Sequence, residues 1–213
     1  MRIAEGLYRI DHVRGANAYL AETSDGLLVV DTGMPGNAEK IVEFVRGLGN
    51  EPTDVRTIAI THSDPDHVGS VGRLKALTGA TVAIHADDAP VLAGTASGKR
   101  PKGLLGVAFA MLAPMMRGDQ VEADVLLGDG DSVSGFRVLH TPGHTRGSIT
   151  LYRDGIVFSG DALLSDSEGN ARPPSKALSA DYPRALQSAD KVLALGYDVL
   201  LTGHGEPVFA ERG

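Results

Sequence analysis

The densest chemistry in the chain lies in one heptapeptide, Thr61-His62-Ser63-Asp64-Pro65-Asp66-His67, which places two imidazoles and two carboxylates within six consecutive residues. Neutral imidazole nitrogens and hard carboxylate oxygens form a donor set that suits zinc, manganese or iron, and so short a loop can wrap a cation. Three further donors stand apart in sequence but share a local pattern. His144 follows VLHTPG, Asp161 follows IVFSG and His204 follows VLLTG, as His62 follows IAIT. Each apolar run ends in a small or hydroxyl residue and then delivers a histidine or an aspartate. Layered α/β proteins collect ligands in the crevice beyond the carboxyl ends of their strands, so four such runs predict one shared cluster. The chain has no cysteine, so any metal here rests on nitrogen and oxygen, with no thiolate nucleophile or disulfide available.

Holding such a cluster requires stacked strands and helices, and the hydrophobic pattern predicts both. Leu7 to Asp11, Asn17 to Glu22 and Leu27 to Val30 read as a β-meander with a turn at Ser24-Asp25-Gly26. Ala38, Ile41, Val42, Val45 and Leu48 recur at helical spacing, and Gly47 and Gly49 mark the end. The run Thr57 to Ile60 leads into the donor-rich loop, a helix from about Asp66 to Leu77, and a β-branched run from Thr81 to Ile84. Residues 86–120 break this rhythm and read as an insertion or cap. Within them Gly103 to Met116 is the most apolar stretch, too short for a bilayer core that needs roughly 20 residues. Core packing, a homodimer contact and a lid are its open readings. The last third predicts strands at Phe136–Leu139, Ser148–Tyr152 and Ile156–Phe158, the latter two joined by Asp154-Gly155. A helix from about Tyr182 to Leu195 and a strand at Val199–Leu201 complete the pattern.

Composition bounds the function. A chain of 213 residues suits a single domain, 1–213, and 42% hydrophobic with 22% charged residues matches a soluble globular protein. A formal charge of −7 argues against nucleic acid as a partner, because phosphate backbones demand a basic field; a small-molecule substrate is expected instead. The amino-terminal MRIAEGLYRIDH has no apolar run, so no secretory signal and a cytoplasmic location are expected, with no membrane span.

Asp31-Thr32-Gly33, the THxxxDH element ending at His67, TPGHT around His144, SGD around Asp161 and TGHG around His204 together resemble the ordered motifs of the metallo-β-lactamase superfamily, over residues 17–207. The resemblance implies an α/β (α+β layered) fold, a four-layer αββα sandwich with metals at one edge of its two sheets. It also implies a metal-dependent hydrolase with two divalent ions, zinc first and manganese or iron as alternatives. Carried over by position, His62 and His144 would bind the first ion, Asp66, His67 and His204 the second, and Asp161 would bridge both. The superfamily's common pattern is HxHxDH; here Asp64 replaces the middle histidine, giving HxDxDH. Asp64 either ligates, lowering the formal site charge and favouring harder metals, or orients His62 or His144 from behind so that only the second site fills tightly. Ligation is the favoured expectation.

Paired ions would lower the pKa of a bridging water, making a hydroxide near neutral pH, and would polarise the scissile group. The expected substrate is a small ester, lactone or thioester. Phosphodiester or β-lactam hydrolysis at the same site, and a non-haem iron oxidoreductase of the same fold, are the alternatives. Asp66 is the catalytic candidate, guiding a proton to the leaving group, although its ligand role largely commits its carboxylate. Asp31 is either a turn residue or, as the resemblance suggests, a support for the metal loop. His12, His85 and His140 fall outside the motifs and read as structural or surface histidines. A triad of Ser148 with His144 is set aside, because it needs a histidine free of metal.

Overall fold

The computed structural model describes residues 1–99 and 118–210. The apolar stretch Gly103 to Met116, with the homodimer contact assigned to it, lies outside the described residues. Two sheets face each other. The first is built, in spatial order, from β1 (Arg2–Ala4), β2 (Leu7–Arg9), β3 (Tyr19–Thr23), β4 (Gly26–Val30), β5 (Val55–Ile60), β6 (Thr81–His85) and β7 (Val125–Leu127). Its first four strands form the predicted antiparallel meander, and β4 to β7 run parallel. The second sheet takes β8 (Ser132–Val133), β9 (Phe136–His140), β10 (Ile149–Arg153) and β11 (Ile156–Gly160). A separate ribbon pairs β12 (Leu164–Ser165) with β13 (Ala171–Arg172), after which β14 (Val199–Thr202) adds to β11 in parallel and β15 (Val208–Phe209) closes the edge.

Three layers of apolar contact hold the sheets and helices together, and strand alternation explains them. In β4, Leu28 and Val30 point between the sheets, where they meet Tyr19, Ala59, Phe136, Leu151 and Phe158. Leu27 and Val29 point the other way, onto Ile41, Val42 and Val45 of α1 (Ala38–Gly47) and Val71 and Leu74 of α3 (Val71–Thr78). Both faces are covered, as the unbroken apolar run Leu27 to Val30 requires. On the far side, Val157 and Leu200 pack against Ala189 and Val192 of α5 (Tyr182–Leu193). The order is therefore helix, sheet, sheet, helix, as the motifs implied. Each fully buried large side chain contributes roughly 1.5–3 kcal/mol relative to leaving it exposed. No helix among the described residues is long and apolar enough to cross a membrane.

The helix expected over 66–77 is two helices, α2 (Pro65–Val68) and α3, which meet at Gly69-Ser70. The break has a hydrogen-bonding cause. The Gly69 amide donates to the Gly33 carbonyl, the Ser70 amide to Thr32 Oγ1, and the Ser70 hydroxyl to the Met34 carbonyl. Tertiary acceptors in the 31–34 loop have replaced the acceptors a continuous helix would offer. Gly69 also packs so closely that a Cβ would lie 2.4 Å from Pro35. The break is also what docks the donor-rich loop onto the end of β4.

Candidate metal centre

The carboxyl ends of β4, β5, β9, β11 and β14 all open on one edge of the sandwich, and the loops there bring the seven predicted donors together. His62, Asp64 and His144 present donor atoms all within 4.8 Å of one another; so do Asp66, His67 and His204, and so do His62, His67 and Asp161. Asp161 joins the groups. Its Oδ2 lies 3.4 Å from His144 Nε2 and 3.7 Å from His204 Nε2, and its Oδ1 lies 3.4 Å from His67 Nε2. The structure also shows which way Asp64 faces. Its Oδ2 is 3.0 Å from His144 Nε2 and 3.5 Å from His62 Nε2, the inward nitrogens. A carboxylate orienting those rings from behind would meet their Nδ1 atoms instead.

The residues present fit a bound metal on three counts. His62 Nε2, His67 Nε2 and Asp161 Oδ1 are buried and have no hydrogen-bond partner, a costly state for polar atoms unless a cation completes them. The donor set, imidazole and carboxylate, is one that divalent metals accept. Gly203 leaves the hollow open, since a Cβ there would lie 2.2 Å from Asp161 Oδ1 and 2.7 Å from His67 Cε1.

A buried relay from Asp31 fixes how the histidines present themselves. Asp31 accepts from His67 Nδ1 at 2.8 Å, from Thr61 Oγ1 at 2.7 Å and from the Thr61 amide at 2.8 Å. Thr61 Oγ1 has its hydrogen committed to Asp31, so it accepts from His62 Nδ1, 3.0 Å away. Both rings thus carry hydrogen on Nδ1 and turn Nε2 inward. Asp31 holds φ 58, a left-handed backbone that aspartate tolerates, and it is 2% exposed. It is a support beneath the loop and not merely a turn residue.

The charges are strongly coupled. Burial opposes ionisation of Asp161, but the charge of His67, with those of His62 and His144 beyond, holds its carboxyl far below the ordinary range. Burial likewise opposes Asp64, and contacts from His144, His62 and Lys99 overcome it. Burial would lower His67, but Asp31 and Asp161 raise it well above the usual histidine value. His144 goes the other way, lowered chiefly by burial. Burial opposes the charged forms of Asp66 and His204 alike; their mutual contact lowers the carboxyl and raises the imidazole.

Sequence reasoning missed two residues that belong to this edge. Asp88 is buried after β6 and accepts from the Ser63 amide, Thr145 Oγ1 and the Gly147 amide, each at 2.8 Å. One carboxylate thereby ties the loop of His62 to the loop of His144. The signal was available, because Asp88 follows a further strand end, that of β6, at the same edge. Lys99, from the loop after α4 (Ala89–Leu92), reaches in with Nζ 2.7 Å from Asp64 Oδ2 and in hydrogen-bond contact with His144 Nε2; nothing in the local sequence marks it.

The three remaining histidines stand outside the cluster. His12 is exposed. His85 and His140 stack with ring centroids 4.1 Å apart and planes 15° apart, bridging the ends of β6 and β9, and His140 Nε2 donates to the Arg146 carbonyl. Burial and the neighbouring His140 charge lower the His85 pKa.

Comparison with known proteins places this geometry. A family profile described as the metallo-beta-lactamase superfamily matches residues 12–204. The probable metallo-hydrolase YflN of Bacillus subtilis is 27% identical over 228 aligned positions, covering 96% of this chain and 86% of that protein. A hydroxyacylglutathione hydrolase of Albidiferax ferrireducens is 32% identical over 173 positions, covering 78% of this chain and 55% of that one. Among solved structures, the di-iron-bound form of TTHA1623 superposes with a TM-score of 0.70 at 28% identity, covering 91% of this chain and 89% of that chain.

Proposed function

The chain belongs to the metallo-β-lactamase superfamily and is a metal-dependent hydrolase, and from that premise we propose that it cleaves a small ester, lactone or thioester with a pair of divalent ions. The observation that carries the proposal is the convergence of two three-residue donor groups on Asp161. His62, Asp64 and His144 would hold the first ion and Asp66, His67 and His204 the second, with Asp161 within reach of both groups. The mixed imidazole and carboxylate donor set suits zinc first, while the Asp64 carboxylate leans the first position toward the harder alternatives, manganese or iron. When bound, the pair supplies Lewis acidity, activating water and polarising the scissile group.

The chain's own residues do the rest. Asp31 and Thr61 hold His67 and His62 with their lone pairs inward, and Asp88 keeps the two ligand loops in register. Asp66, ionised beside His204, guides a proton toward the leaving group. Similarity to a hydroxyacylglutathione hydrolase favours the thioester among the three substrate classes. We treat residues 1–213 as one domain of a cytoplasmic enzyme acting on a small molecule and not on nucleic acid.

Elemental analysis of protein purified without added metal, followed by a panel of thioesters, lactones, phosphodiesters and β-lactams, tests the proposal. About two divalent ions per chain, with turnover lost on chelation and restored by metal, supports it; turnover indifferent to chelators overturns it. Likeness to a di-iron-bound structure favours one second reading, a non-haem iron oxidoreductase. Oxygen-dependent turnover with bound iron would establish that reading instead.

A further inference from the structure

We propose that Lys99 is a built-in competitor for the first metal position, so that the two halves of the centre load unequally: the Asp66, His67 and His204 half first, and the His62, Asp64 and His144 half only when a cation displaces the lysine ammonium. The inference rests on the two-ion reading above and adds an order of loading to it.

The contacts around Lys99 are those of a cation among ligands. Its side chain is only 13% exposed, and Nζ lies 2.7 Å from Asp64 Oδ2. It also contacts His144 Nε2. An ammonium has only hydrogens to give, so His144 Nε2 meets it with a lone pair. The same Nε2 is 3.0 Å from Asp64 Oδ2, so ammonium, imidazole and carboxylate meet at one point. The ammonium therefore engages two of the three donors of the first half and leaves the third, His62 Nε2, without a partner.

The charges point the same way. Asp64 adds a negative charge where the superfamily's common pattern has a neutral histidine, and Lys99 adds a positive one beside it. A divalent ion bound by Asp64 and His144 would have to take the place of Nζ, because two cations at hydrogen-bond distance repel strongly in a buried site. The second half has no such occupant. Among the described residues, no lysine or arginine pairs with Asp66 or Asp161, whose partners are all histidines.

Titration of the metal-free protein with Zn²⁺, and separately Mn²⁺, read by calorimetry and by competition with a chromophoric chelator, tests this without any substrate. Wild type takes up two ions in two distinct steps. Lys99→Met strengthens the weak step by about tenfold or more, roughly 1.4 kcal/mol, and leaves the tight step within about threefold, which also reports an intact fold. Lys99→Arg, keeping the charge, retains a weak second step. Two equally tight steps in wild type, or a weak step unmoved by Lys99→Met, overturns the inference while leaving the two-ion reading intact. No metal bound by either protein overturns both.

Discussion

Replacing Asp31 by asparagine changes one charge and almost no volume, and the hydrogen-bond relay determines the effect on the metal ligands. Asparagine accepts the left-handed φ of 58, so the backbone is not perturbed. The carboxylate accepts three hydrogen bonds, from His67 Nδ1, Thr61 Oγ1 and the Thr61 amide. If the asparagine oxygen keeps the Thr61 amide, its NH2 faces His67 Nδ1, which must give up its hydrogen and accept. His67 then carries hydrogen on Nε2, the atom that faces Asp161 at 3.4 Å, and its lone pair is lost to the metal. Support of this kind is worth 10- to 100-fold in metal affinity, about 1.4–2.7 kcal/mol. Loss of charged hydrogen bonds in the metal-free protein costs a further ~1.5–3 kcal/mol, or about 3–12 °C in Tm for a chain of this size. Chelator competition measures the first and thermal unfolding of the metal-free protein the second. An Asp31→Asn protein that loses stability as expected, but binds metal within threefold of wild type, refutes the tautomer reasoning.

Gly203→Ala places a methyl 2.2 Å from Asp161 Oδ1, so metal uptake falls by at least about tenfold while circular dichroism still reports a folded chain. Asp88→Ala strands two buried amides and a hydroxyl, costing about 2–4 kcal/mol, seen as a fall of roughly 4–16 °C in Tm together with weaker metal binding. His85 has its pKa lowered from 6.5 in the fold by burial and the His140 charge. Its contribution is therefore fully present above pH 6.5 and is lost as pH falls through the depressed folded value, because the unfolded chain then binds the proton more readily. Unfolding of wild type and His140→Gln, compared at pH 7.5 and 5.5 in the metal-free state, should show the smaller acid loss in the variant; equal losses would discount the stacked pair.

Much of this protein is legible from its residues alone. Apolar runs such as Leu27 to Val30 and Val199 to Leu201 announce buried strands by length and β-branching, and the periodicity from Ala38 announces α1. The donors were legible for a related reason: imidazoles and carboxylates placed just after strand ends have a fixed topological address, so their convergence comes from the layering. Local pattern ran out where partners come from distant segments. The single helix expected from about Asp66 broke at Gly69-Ser70 because its amides found acceptors at Thr32 and Gly33, more than 30 positions away. Asp88 fell in the stretch 86–120 that read as an insertion or cap, yet it ties the loop of Ser63 to that of Gly147. The spacing of HxDxDH put Asp64 among the candidate donors but left open which side of the histidines it faces. Only the folded chain decided that, by seating its carboxylate against the inward nitrogens and bringing Lys99 beside it. Sequence determines which donors exist and which strand end carries each, because both are local properties. Side-chain direction, tautomer and charge balance depend on atoms in contact, and tertiary packing alone supplies those.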